Sequence, residues 1–245
     1  MHGHLTYPAA SRVLMGLPVH DLELRQTTAA VIAAVEARRA FSVATPNVDY
    51  VFRADRSPAF REALLAADLR VPDGVWIVRV SRIARRPLRG STAGRLLIPT
   101  LAAEAERRGW GIALVGAPPG VAEDAARRLR AVHPQLRIEF ADAPPMGFRI
   151  GDYADRALVA RLAATDARIV VVGLGAPKQE LWMAAHREEL GGRALLGIGA
   201  GIDIVAGRFR EAPDWMVRNG LAWAFRLAQE PRRLARRYLV DDPQA

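Results

Sequence analysis

The chain has 245 residues, 51% of them hydrophobic and 25% charged, which supplies a full core and excludes wholesale disorder. It contains no cysteine, so disulfides, thiolate metal sites and a cysteine nucleophile are excluded. The net charge is +9, carried by 34 arginines and a single lysine, Lys178, against 26 acids.

No run approaches the roughly 20 apolar residues of a membrane span. The N-terminus lacks the basic-then-apolar layout of a signal peptide, so a cytosolic protein is expected. Charge is unevenly placed. Residues 76–95 carry six arginines and no acid, and residues 205–240 carry a net +5, leaving −2 for everything else. Two basic segments on a near-neutral body read as contact surfaces for phosphates or anionic lipid.

Along the chain a short apolar run, a turn of small residues and a helical pattern recur. Phe41–Ala44 leads through Thr45-Pro46-Asn47 into a helix-like Val48–Ala54. A second helix-like stretch, Ala59–Ala67, leads to Val71-Pro72-Asp73-Gly74. Trp76–Arg86 then spaces arginines along one helical face. Gly111–Val115 precedes a glycine-proline turn and an amphipathic Val121–Val132. Arg168–Val172 precedes Gly173–Pro177 and a helix running to about Glu189. Ala194–Ile198 precedes Gly199–Gly201. The C-terminus, Trp215–Leu239, mixes aromatics and arginines around a break at Pro231, with Arg226, Arg233 and Arg237 on one face if the helix continues.

Apolar runs of four to six residues alternating with helices are the mark of buried parallel strands, so the fold class is α/β. Ligands of such sheets bind beyond the carboxyl ends of the strands. The turns carrying Thr45, Asn47, Gly116, Gly173, Gly175, Lys178 and Gly199–Asp203 should therefore converge on a site.

Gly173–Glu180 is the most informative of these turns. Its glycines let backbone amides approach a phosphate, Pro177 suits the first helical position, and Lys178, Gln179 and Glu180 follow in the first turn. An ordinary helix start with a solvated lysine fits equally well. One lysine retained among 34 arginines favours a need for a compact ammonium. The segment is neither a dinucleotide fingerprint nor a Walker A loop. Asp73 is either a turn residue or a general base toward an acceptor hydroxyl, and Asn47 either caps a helix or bonds a ligand. No Asp-x-Asp pair occurs, and the histidines have no zinc-ligand spacing, so no metal is expected.

Taken in order, these motifs resemble the WecG/TagA/CpsF family of bacterial glycosyltransferases, from about Val13 to Tyr238. The segments carrying the resemblance are Gly16–Val19, Thr45–Asn47, Val71–Gly74, Gly173–Glu180, Ile202–Gly207, Ala212–Trp215 and the C-terminal run from Leu221 to Tyr238. The resemblance implies a mostly parallel, Rossmann-like sheet with flanking helices, divided into a core over 1–220 and a basic helical appendage over 221–245. It implies an inverting, metal-independent enzyme that needs no cofactor and moves N-acetylmannosamine or a related hexose. The donor is a UDP-sugar and the acceptor a polyprenyl-diphosphate-linked sugar at the inner face of the cell membrane. Carried onto matching positions, Asp73 is the base and Thr45, with Asn47, holds the donor sugar. Arg89, Lys178, Gln179, Glu180 and Asp203 complete the donor site, and Arg226, Arg233 and Arg236 close over the diphosphate. The family pattern is broken at Leu96, Glu211 and Ala222, and homo-oligomerisation is left open. The competing readings are a nicotinamide-dependent oxidoreductase, which lacks its glycine fingerprint here, and a basic nucleic-acid-binding protein, which the near-neutral body and single lysine disfavour.

Overall fold

The computed structural model describes residues 11–229, apart from Ala93 and the side chains of Asp214 and Arg226. It opens on a hairpin, β1 (Ser11–Leu14) paired antiparallel with β2 (Leu17–His20). Met15 and Gly16, both at positive φ, make the tight turn between them. Then follow α1 (Leu24–Glu36), β3 (Phe41–Ala44), α2 (Val48–Arg56), α3 (Pro58–Ala66), β4 (Leu69–Arg70), α4 (Val75–Ile83) and α5 (Gly94–Arg108). Next come β5 (Gly111–Gly116), α6 (Val121–Val132), β6 (Arg137–Asp142), α7 (Tyr153–Ala163), β7 (Ala167–Gly173) and α8 (Lys178–His186). β8 (Ala194–Gly197), α9 (Gly201–Val205), α10 (Asp214–Arg218) and α11 (Ala222–Gln229) complete the described chain.

Six strands form one sheet in the order β4-β3-β8-β7-β5-β6, with every pair parallel. Helices cover both faces, which is why the central strands are predominantly apolar rather than alternating. In β7, Ile169 and Val171 face a core with α1, α5 and α6, while Val170 and Val172 face a second core with α7 and α8. The hairpin with α2, α3 and α4 builds a third core around Leu17, Phe60, Leu64 and Ile77 at the β4 edge. This is the Rossmann-like arrangement expected.

Several boundaries differ from expectation. The helix expected to reach about Glu189 ends at His186. Pro177 stands at its N-cap after a cis peptide, so Lys178 is the first helical residue. The C-terminal helix is interrupted before the anticipated break: α10 ends at Arg218, and Gly220 at positive φ turns the chain into α11. Pro231 lies outside the described residues.

The hairpin is fastened to β4 by a pair that titrates. Arg70 donates its backbone N–H to His20 Nδ1 (3.0 Å) and its guanidinium to the carbonyls of Pro18, Leu64, Leu65 and Ala67, capping the end of α3. Burial, and secondarily the Arg70 charge, push the His20 pKa from 6.5 down to about 4. The unfolded chain therefore binds a proton that the folded chain refuses. The stabilising contribution is complete above pH 6.5 and is lost as the pH falls toward 4. Melting temperatures measured across this window should fall more steeply for the wild type than for His20→Gln. Parallel slopes would remove His20 from the account.

Candidate active site

The carboxyl ends of β3 and β4 run side by side beyond the sheet. The ladder continues from Val71 N–H to the Ala44 carbonyl (3.0 Å) and from Asp73 N–H to the Pro46 carbonyl (2.9 Å). Asp73 is thereby held beside the Thr45–Asn47 turn. Its Oδ1 accepts from Gly94 N–H (3.4 Å) at the start of α5, and Gly74 N–H donates to Ser91 Oγ (2.7 Å). The Asp73 residue is half-buried. Asn47 caps α2 by accepting from Tyr50 N–H (3.2 Å), and it too is half-buried. Thr45 is buried, and its hydroxyl donates to the Gly197 carbonyl (2.8 Å), joining this turn to β8.

Beneath these turns lies a buried polar network. Tyr50 Oη donates to Glu180 Oε1 (2.9 Å) and accepts from Gln179 Nε2 (2.9 Å), which also donates to Glu180 Oε1 (2.7 Å). Gln179 Oε1 accepts from Gly175 N–H (3.2 Å) and Gly199 N–H (3.0 Å), the loops after β7 and β8. Gly197 gives the network room. A Cβ on it would stand 2.8 Å from Met183 Cε and 3.0 Å from Gln179 Nε2. Gly116 is required two strands over, in β5, where a Cβ would meet the Gly173 backbone at 2.9 Å and φ is +101°. Ala117 N–H bonds the Gly173 carbonyl (2.9 Å), so the glycine turns do converge.

Other candidates are placed differently. Lys178 turns its ammonium to the loop before α7, donating to the Phe148 carbonyl (2.8 Å) and standing 4.2 Å from the Phe148 ring centre. Asp203 is buried in α9. Arg89 is exposed and pairs with Asp21 (3.3 Å), whose carboxylate also accepts the Arg89 N–H. Arg233 and Arg236 lie outside the described residues, as does the Arg226 side chain. Among the described residues no group of three or more His, Asp or Glu side chains is arranged to hold a metal ion.

Two features were not legible in the motifs. The first is Tyr50, whose only sequence signal is an aromatic one helical turn before the buried Ala54. The second is the seat of the C-terminal segment on α4, three residues beyond Asp73. Trp76 Nε1 donates to the Gly220 carbonyl (2.7 Å), and Arg79 donates to the carbonyls of Arg218 and Asn219 (both 3.2 Å). Gln229 bonds both backbone groups of Arg210, and Glu211, one of the departures from the family pattern, pairs with Arg95 (2.9 Å). An open cavity of about 620 Å³ lies between the start of α6 and the end of α9, walled by Pro119, Gly120, Val121, Ala206, Gly207 and Arg208.

Comparison with known proteins gives the same direction. The chain is 29% identical over 195 residues to the N-acetylglucosaminyldiphosphoundecaprenol N-acetyl-beta-D-mannosaminyltransferase of Bacillus spizizenii strain W23, covering 79% of this chain and 73% of that one. It is 28% identical, with the same coverage, to the protein of that name from Bacillus subtilis strain 168. The family model described as "Glycosyl transferase WecG/TagA/CpsF family" matches residues 12–245. The parallel sheet is accordingly that of a hexose-transferring enzyme, and the chain belongs to the WecG/TagA/CpsF glycosyltransferase family.

Proposed function

We propose that this chain moves N-acetylmannosamine or a related hexose from a UDP-sugar to a polyprenyl-diphosphate-linked N-acetylglucosamine, inverting the anomeric centre in cell-surface polysaccharide synthesis. The acceptor follows the activity for which the two Bacillus relatives are named. The observation that carries the chemistry is Asp73, a half-exposed carboxylate fixed between the Thr45–Asn47 turn and the start of α5. Asp73 takes the proton of the acceptor hydroxyl, whose oxygen attacks the anomeric carbon on the face opposite UDP. The bond to the diphosphate oxygen breaks, its electron pair leaves with UDP, and the configuration inverts in one displacement. The cavity beside α9 lies within the range of ligand pockets and accommodates the nucleoside, with Asp203 in the adjoining helix. Arg226, Arg233 and Arg236 neutralise the departing diphosphate in place of a metal ion.

Membrane contact is part of this reading. Among the described residues no helix is long and apolar enough to cross a membrane. Exposed Trp76 and Ile83 on α4, with Arg82 on the same helix and Arg85 and Arg86 just beyond it, combine apolar side chains with a basic surface. Exposed Trp215 and Trp223 add to the apolar side chains that suit an anionic lipid interface. UDP release should depend on both one UDP-sugar and a short-chain polyprenyl-diphosphate acceptor, and should survive a chelator. Release lost on chelation would overturn metal independence, and no release with any donor would overturn the reaction. Truncation after Gly220 removes five arginines and three acids. It should reduce both turnover and sedimentation with phosphatidylglycerol vesicles at least tenfold; unchanged sedimentation would remove the appendage from the membrane contact.

A further inference from the structure

We infer that Gln179 and Tyr50 are positioning residues, a buried pair that fixes the two glycine loops of the donor site without touching the donor. The inference rests on the proposed reaction and assigns these two residues a part in it. Gln179 is 0% exposed, so a ligand has no surface of it to meet. A side-chain amide has two donor hydrogens and two acceptor lone pairs, and all four are used. The hydrogens go to Tyr50 Oη and Glu180 Oε1, and the lone pairs receive Gly175 N–H and Gly199 N–H.

The orientation of the amide is dictated in turn. Rotating it by half a turn would aim its NH₂ at two backbone N–H groups. The Tyr50 hydroxyl donates to the Glu180 carboxylate, an acceptor-only partner when ionised, so its lone pair is what receives the Gln179 N–H. Tyr50 is itself held by burial and by its ring against Phe60, with centroids 5.4 Å apart. The chain of cause therefore runs from α2 through Tyr50 to the Gln179 amide, and from there to Gly175 and Gly199. Gln179 also donates its own N–H to the Gly175 carbonyl (2.9 Å), closing a reciprocal pair at the start of α8. Two loops from different strands share one acceptor oxygen, so their relative position is set before substrate arrives.

The test is a double-mutant cycle on Tyr50→Phe and Gln179→Met, both conservative in volume. Each single variant should raise the KM for the UDP-sugar and lower kcat/KM about tenfold or more. The double variant should be no worse than about twofold below the weaker single, since both break one unit. Multiplying effects would overturn the inference and return Gln179 to direct contact with the donor; wild-type kinetics in Tyr50→Phe would overturn it as well. Amide hydrogen exchange supplies a readout independent of turnover. Gly175 and Gly199 should exchange at least tenfold faster in Tyr50→Phe while the melting transition remains cooperative. Unchanged exchange at both would refute the inference even if the proposed reaction stands. Absence of acceptor-dependent UDP release by the wild type would refute the reaction and leave the exchange result to decide the positioning role.

Discussion

Replacing Asp73 by asparagine should lower acceptor-dependent transfer by about 10³-fold while UDP binding stays within about twofold of wild type. Asparagine has the shape of aspartate and keeps an oxygen for the Gly94 N–H, so the turn built from Pro46, Asp73 and Gly94 survives. It cannot accept a proton from an alcohol near neutral pH, and the attacking oxygen remains a hydroxyl. The loss should therefore fall on kcat rather than on donor KM, the pattern of an interaction realised only as the transition state forms. Calorimetric titration of UDP alongside initial-rate measurements separates the two. Turnover within tenfold of wild type would mean that another group, or water, takes the proton.

The largest stability effect is expected at Asp155, between α7 and α8. It is 0% exposed, and its two oxygens accept Trp182 Nε1–H (2.7 Å), His186 Nε2–H (2.9 Å) and Gly151 N–H (2.6 Å). Since a carboxylate only accepts, the histidine must carry its proton on Nε2. Asp155→Ala leaves two buried side-chain donors, Trp182 Nε1–H and His186 Nε2–H, without their partner, frees the exposed Gly151 N–H to water, and opens a gap between α7 and α8. The cost should be about 3–5 kcal/mol, since removing one side of a buried polar cluster strands the other. For a domain of this size that lowers Tm by roughly 6–20 °C. Asp155→Asn, which keeps one acceptor oxygen, should lose distinctly less. Thermal melts of both variants decide it; an alanine shift below about 2 °C would show that water replaces the carboxylate. Because α8 begins at Lys178 and Gln179, transfer should weaken in the alanine variant even below its melting temperature.

The central strands were legible in the sequence for a simple reason. A parallel strand covered on both faces has little room for polar side chains, so β3, β5, β7 and β8 stand out as predominantly apolar runs, interrupted only by Ser42 and Arg168. β6 and β4 were not anticipated. β6 is an edge strand with charged, half-exposed positions, and β4 is two residues long. The β1–β2 hairpin was missed as secondary structure, although its Gly16–Val19 segment carries the family resemblance.

At the site, short-range information stops at the helix ends. Thr45, Asn47 and the Gly173–Glu180 block could be marked because turns after buried strands must face the same end of the sheet, whereas Asp73, behind the unanticipated β4, was marked by the family resemblance. Which way each side chain points is a different question. Lys178, Gln179 and Glu180 are neighbours in sequence, but successive residues on a helix diverge by about 100°. One reaches Phe148, while the other two enter the network with Tyr50.

By itself, then, the sequence determined the α/β class, the four central strands and the family, and it singled out Asp73 as a candidate. The strands follow from hydrophobic periodicity, which is local; the family and the part given to Asp73 follow from the order of the motifs along the chain. Only the tertiary structure decided that Gln179 is a buried junction of two loops, that Tyr50 orients it, and that the C-terminal segment seats on Trp76. Each of these is a hydrogen bond between residues 20 to 144 positions apart, and such a partner is chosen by the fold that brings the two groups together in the absence of water.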